Sequence, residues 1–190
     1  MYTRMKDLSL KEKYNKEVVP ALKTALGYKN AMALPKLSKI VVNVGTGRMS
    51  QQANFTDKLL PAVINELATM TGQKPRTNPS KKSIAGFKMR QGAVVGVSVT
   101  LRGDRMYAFL DKMNKIVFPR VRDFKGLETK GIDGAGNLSI GFREHTVFPE
   151  ISPENAKADF GVQVTVVVST NSRDEAVELY RLLGVPLKKD

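Results

Sequence analysis

The residues in this sequence best placed to do chemistry are cations. Lys74, Arg76, Lys81, Lys82, Lys88, Arg90 and Arg102 all fall between Glu66 and Asp104, and no acidic residue lies in that interval. A solvated surface interleaves both signs, so a long run of one sign repels itself unless a polyanion lies against it. The chemistry such side chains support is ionic contact with phosphate. The imbalance is also global, with 31 Lys plus Arg against 18 Asp plus Glu, a net charge of +13 and a pI near 10.0. It is uneven along the chain: residues 1–90 hold 17 basic and 5 acidic side chains, and residues 131–190 hold 6 and 9.

Bond-making chemistry finds few candidates. Cysteine is absent, which removes thiol catalysis and thiolate metal sites, and His145 is the single histidine. Flanked by Arg143 and Glu144 and with no second ligand nearby in sequence, His145 reads as a surface or packing residue. Gly45-Thr46-Gly47 follows a strand pattern and Glu66 lies about 20 residues on, imitating a dinucleotide fingerprint. The third glycine is missing and Glu66 falls inside a helical pattern, so a turn leaving a strand is the better reading. A nucleotide-using enzyme built on Gly45 and Gly47 is the rival this leaves behind. Asp133, Asn137 and Glu144 have part of a calcium-loop spacing, but Ala135 and Leu138 stand where a carboxylate and a glycine are required. Asp174 and Glu175 open a helix, where they complement its dipole without any catalytic role. No cofactor and no metal is expected.

At 190 residues, with 42% apolar and 26% charged side chains, the chain can bury a real core as one domain or a tight pair. Its apolar runs, such as Val94–Val97 and Val166–Val168, fall far short of the roughly 18 residues a membrane span needs. The first residues mix Lys6, Lys11 and Lys13 with Asp7 and Glu12, which is unlike a secretory signal and makes a cytoplasmic location the default.

Ser9 and Glu12 have capping-box spacing before a helix that Pro20 must kink or restart and Gly27 ends. Leu37–Val44 alternates as a strand, with Ile40, Val42 and Val44 on one face and Lys39, Val41 and Asn43 on the other. A second helix covers roughly 55–71, with Pro61 in its early turns and Gly72 closing it. Val95–Leu101 alternates again, turning Ser98, Thr100 and Arg102 away from Val97, Val99 and Leu101. Asp104 is expected to cap a third helix that Pro119 stops, and residues 120–137 read as a long ordered loop. Short strands follow at 138–142 and 160–168. Ser172 and Glu175 then form a second capping box for a last helix ending near Gly184.

Strands this amphipathic cannot be covered on both faces. The expected architecture is α+β: one sheet with its apolar face packed on helices and its other face available. The open face carries Lys39, Asn43, Ser98, Thr100 and Arg102, donors and small hydroxyls suited to phosphate oxygens and ribose hydroxyls. With the net charge, nucleic-acid binding outweighs a merely solvated face. The aromatic consensus of RNA-recognition motifs is absent, so stacking on sheet aromatics is not expected.

Five segments carry a resemblance: TGQKP at 71–75, KKSIAGFKMRQG at 81–92, VTLRGDRMYAFL at 99–110, PRVRDFKGL at 119–127 and FPEI at 148–151. Together, in order and with matching gaps over essentially the whole chain, they resemble universal large-subunit ribosomal protein five in its bacterial form. The resemblance implies a non-enzymatic structural protein of the cytoplasmic ribosome, an α+β domain spanning 1–190 whose single antiparallel-dominated sheet has helices packed on one face and the other open for RNA, with a protruding basic loop at about 74–90. It implies binding to 5S rRNA and adjacent 23S rRNA in the central protuberance, among its other ribosomal proteins, as a monomer within the ribosome and away from any membrane. It further implies contact with P-site tRNA through the basic loop and a bridge to small-subunit head protein thirteen. By motif, Lys39, Asn43, Gln73, Thr100 and Arg102 match positions facing 5S rRNA, and Ser98 and Arg90 join the rRNA-binding set. Lys74, Arg76, Ser80, Lys81, Lys82, Ser83 and Lys88 match the tRNA-reaching loop, although Arg76-Thr77-Asn78-Pro79-Ser80 departs from common members.

Overall fold

Alternating β-branched residues and periodic apolar helices give this chain one five-stranded sheet and four continuous helical segments among the described residues. The structure is a computed structural model that describes residues 9–52, 54–87, 89–152, 154, 158–170 and 172–188. The strands are β1 (Leu37–Gly45), β2 (Arg76–Pro79), β3 (Val94–Leu101), β4 (Leu138–Phe142) and β5 (Val162–Val168), in the spatial order β2-β3-β1-β5-β4. The sheet is antiparallel, and β1 pairs with β3 from Ile40 opposite Leu101 to Gly45 opposite Gly96. Over the described residues the chain gathers into two compact units.

The first unit takes Met1–Lys39, Arg102–Leu138 and Val166–Asp190. It holds helices α1 (Leu10–Lys13), α2 (Val19–Leu26), α4 (Asp104–Lys112), α5 (Phe118–Arg120) and α6 (Arg173–Leu182), with α1 packed on α4 and α2 on α6. Leu22, Met113, Val117, Leu179 and Tyr180 are fully buried here. The Tyr180 hydroxyl lies 2.9 Å from the Gly136 carbonyl and 3.2 Å from that of Val166, and burial raises its pKa. Removing such a side chain from water stabilises the fold by about 2 kcal/mol.

The second unit takes Ile40–Leu101 and Ser139–Thr165. Here α3 (Leu60–Thr71) turns Val63, Leu67 and Met70 inward and packs on β3, whose Val97, Val99 and Leu101 are buried beside Ile40, Val42 and Val44 of β1. Gly72 ends α3 with φ +66, a left-handed conformation that glycine adopts without strain. His145 is a packing residue. It is fully buried, its ring stacks on Phe160 at 4.0 Å, and its Nε2 lies 3.2 Å from Glu66 Oε2.

The prolines are accommodated the same way three times. A five-residue π-helical turn (Tyr14–Val18, Phe55–Leu59, Met113–Val117) runs directly into an α-helix whose second residue is Pro20, Pro61 or Pro119. The residue before each proline donates five residues back: Val19 to Tyr14, Leu60 to Phe55 and Phe118 to Met113. Proline has no N–H and its ring crowds the carbonyl four residues earlier, so a widened turn lets the helix pass through it.

Several expectations are corrected. Asp104 is the first residue of α4 rather than its cap, a place held by Gly103, and its carboxylate pairs with Lys11 instead. Ser9 accepts from the Glu12 N–H as a capping box requires, but Ser172 makes no such bond. Glu175 accepts instead from the hydroxyls of Tyr28 and Thr170, at 2.7 and 2.6 Å. The last strand begins at Val162, and the basic stretch after Lys74 opens as edge strand β2 rather than as loop. Residues 120–137 are largely irregular, with one 3-10 turn at Thr129–Gly131.

Candidate nucleic-acid interface

Strand register decides which polar side chains share a surface, because residues directly opposite in antiparallel strands project to the same face. Ser98 stands opposite Asn43 on β1 and opposite Arg76 on β2, so Arg76, Ser98 and Asn43 form one row across three strands. On one side of this row Thr100 stands opposite Val41, and on the other Gly96 lies between Asn78 and Gly45. All of these lie in the second unit, on the face opposite the one that buries Val97 and Val42.

Side-chain hydrogen bonds fix the row. Asn78 Nδ2 donates to Ser98 Oγ at 3.0 Å, which orients that hydroxyl and leaves its own proton free to donate outward. Gln73 Nε2 donates to the Thr100 carbonyl at 3.2 Å, so the residue following the Gly72 stop of α3 is tied to the exposed end of β3. A Cβ on Gly96 would lie 3.2 Å from the Val44 carbonyl and 4.0 Å from Asn43 Oδ1. Gly96 is itself buried, and the missing side chain leaves room there for the Val44 carbonyl and for the Asn43 and Asn78 amides. The same face continues as a shallow trough lined by Asn43, Gly45, Ser139, Gly141, Gly161 and Gln163, where three glycines bare the backbone.

Beyond β2 the basic segment folds back as a pinned hairpin. Ser80 N–H donates to Ala93 at 2.8 Å and Gly92 N–H to Ser80 at 3.0 Å, while Ile84 and Met89 exchange bonds of 2.9 and 3.1 Å. Lys74, Arg76, Lys81, Lys82, Ser83 and Arg90 are exposed. Arg90 lies in this hairpin with Lys81 and Lys82 rather than on the sheet face. Ser80 directs its hydroxyl proton to the Lys82 carbonyl at 2.7 Å, and Ser83 Oγ accepts from the Gln91 N–H at 2.9 Å. Both serines therefore shape the hairpin, and only Ser83 keeps a free proton. Lys88 lies outside the described residues. Lys39, half-buried on β1, and Arg102, exposed directly after β3, fall in the first unit.

A family model described as "Ribosomal protein L5" matches residues 30–90, and a second model, for the C-terminus of the same ribosomal family, matches residues 94–187. The chain is also similar to the "Large ribosomal subunit protein uL5" of Carboxydothermus hydrogenoformans, at 48% identity over 180 residues, covering 95% of this chain and 98% of that one. The chain belongs to the ribosomal protein L5 family. Similarity to the family's members in Halothermothrix orenii, at 44% identity over 95% and 98% of the two chains, and in Thermobifida fusca, at 46% over 95% and 93%, agrees. The L5 family is structural and non-enzymatic.

Two features of this L5-family surface escaped the sequence. The Asn78–Ser98 bond depends on β2, whose four residues from Arg76 to Pro79 are loop-like in composition. The trough depends on Gly141 and Gly161 meeting Asn43, which only strand order could reveal. Among the described residues no cluster of three metal-ligating side chains occurs, and no helix is long and apolar enough to cross a membrane.

Proposed function

We propose that this L5-family chain is a structural constituent of the large ribosomal subunit that binds 5S rRNA through the open face of its sheet. The observation that carries the proposal is the row Arg76–Ser98–Asn43. It sets a guanidinium, a hydroxyl with a free proton and an amide side by side on one sheet face, with Arg76 exposed and Ser98 and Asn43 half-buried. Long-range attraction by the net charge of +13 brings the RNA close, and these donors then match phosphate and ribose oxygens. Gln73 and Thr100 extend the set within the second unit, Lys39 and Arg102 of the first unit are further rRNA-binding residues, and adjacent 23S rRNA meets the same protein in the central protuberance. Lys74, which precedes β2, and the hairpin cations Lys81, Lys82 and Arg90 contact P-site tRNA, for which a mobile phosphate backbone needs positive charge more than fixed shape. Another surface of the chain bridges to the small-subunit head protein thirteen.

If about six phosphates are engaged, affinity falls by roughly three decades between 50 and 200 mM salt, with B-DNA behaviour as the upper guide. The decisive comparison is Arg102→Ala against Lys81→Ala. The first weakens 5S rRNA binding, and the second leaves it intact while altering tRNA-dependent steps. Equal loss of 5S rRNA binding in both variants would refute this division of the surface.

A further inference from the structure

Among the described residues four large apolar side chains are exposed, Met32, Ile84, Phe87 and Ile116, and two of them, Phe87 at 67% and Ile84 at 46%, share the hairpin that follows β2. A scattered exposed apolar residue needs no explanation. Here three further observations converge. First, the backbone that presents the ring is held rather than loose: Phe87 N–H donates to Ile84 at 3.3 Å, and Gln51 Nε2 reaches the Phe87 carbonyl at 3.2 Å. The Ile84–Met89 bridge closes the turn beneath it. Second, the exposed cations Lys81, Lys82 and Arg90 lie on the same hairpin, in a stretch with no acid between Glu66 and Asp104. Third, the serine hydroxyls near the tip are engaged by the hairpin itself, Ser80 donating to the Lys82 carbonyl and Ser83 accepting from the Gln91 N–H.

An exposed aromatic ring on a backbone that is held, in a hairpin that also carries exposed cations, suits a partner that combines negative charge with a flat apolar face. An unstacked nucleobase on a phosphate backbone has both, whereas an acidic protein surface supplies the charge without the π-face. We infer that Phe87 is a stacking platform for an unpaired base of a looped RNA, with Ile84 packing beside that base and Lys81, Lys82 and Arg90 taking the flanking phosphates. Stacking of this kind tolerates any base, because every base has a π-face. The inference rests on the proposed RNA contact of this hairpin. It makes that contact a recognition of unpaired nucleotides rather than of charge alone.

The sequence contains no tryptophan, so Phe87→Trp places a single reporter at the site. The full-length protein is titrated with two RNAs of equal length at one salt concentration. One is a hairpin with an unpaired loop of about seven nucleotides, within the usual reach of a single-strand binding site, and the other is a fully paired blunt duplex. Indole emission is expected to be quenched by the hairpin and not by the duplex. Phe87→Leu should lose about tenfold in affinity for the hairpin while Phe87→Tyr keeps it, and neither should change duplex or 5S rRNA binding. Lys81→Ala should weaken hairpin and duplex alike. Hairpin binding without quenching, or with full affinity in Phe87→Leu, overturns the stacking platform and leaves the RNA contact standing. Failure of the wild type to bind the hairpin overturns both.

Discussion

Asn78 donates to the hydroxyl of Ser98 across β2 and β3, at 3.0 Å, and Ser98 stands opposite Asn43 on the next strand. The hydroxyl at the centre of the row is thereby oriented by one neighbour and flanked by another, with its proton directed outward. Ser98→Ala should lower 5S rRNA affinity by roughly 3- to 10-fold, the value of about one hydrogen bond. Asn78→Ala should cost less, and the double variant should cost little more than Ser98→Ala alone. Filter binding of the four proteins gives the coupling directly, and full additivity would show that Asn78 does not act through Ser98.

Gln73 is bound to the Thr100 carbonyl through its amide nitrogen, leaving its side-chain oxygen as an outward acceptor. Gln73→Glu keeps an acceptor but loses the anchor and adds a negative charge beside RNA. We expect Gln73→Glu to bind 5S rRNA more weakly than Gln73→Ala in the same assay. The reverse order would place Gln73 outside the interface.

Gly136 is the residue whose replacement should most disturb the first unit. Its φ is +82, and a Cβ there would sit 2.6 Å from the Cβ of Ala176 and 3.1 Å from Val168 Cγ2. Gly136→Ala should therefore destabilise by about 2–4 kcal/mol and lower Tm by roughly 5–15 °C. Tyr180→Phe, which removes the hydroxyl near the Gly136 and Val166 carbonyls, should cost about 1–2 kcal/mol. Calorimetric scans of both variants check the ranking.

Asp133 carries a pH dependence of its own. The Asn137 side-chain amide and backbone N–H donate to its carboxylate at 2.9 and 2.8 Å, and these bonds hold its pKa below the ordinary 3.8. A depressed folded pKa contributes stability that is complete above the unfolded value and is lost as pH falls through the folded one. The Tm gap between wild type and Asp133→Ala should thus stay constant from neutral pH down to about 5 and close as pH drops below about 3.8. A gap that persists unchanged at about pH 2, below both carboxyl values, would assign the effect to loop shape alone.

Much of the fold could be read in advance, because β1, β3 and α3 follow strict periods. Ile40, Val42 and Val44 alternate with Val41 and Asn43 as a half-buried strand must, and Gly72 stops α3 where only a left-handed residue fits. What escaped depends on tertiary competition. Asp104 had the right type for a cap, yet Gly103 took the position and Lys11 took the carboxylate. Glu175 had the right spacing for a capping box, yet two hydroxyls claimed it. The π-helical turns before Pro20, Pro61 and Pro119 leave no compositional trace beyond the prolines themselves. In the candidate site, the shared face of Asn43, Ser98 and Thr100 was legible from alternation alone, whereas the exposure of Phe87 was hidden because it cannot be read from a turn.

The account depends most on the open sheet face being where 5S rRNA lies, and Asn43 is the residue to test it. Asn43→Glu places a carboxylate within the row formed with Ser98 and Arg76. In filter binding at about 100 mM salt, this variant is expected to lose about 100-fold in 5S rRNA affinity, from charge repulsion plus lost hydrogen bonding, with Tm within a few degrees of wild type. Unchanged affinity in a folded Asn43→Glu protein would contradict the account.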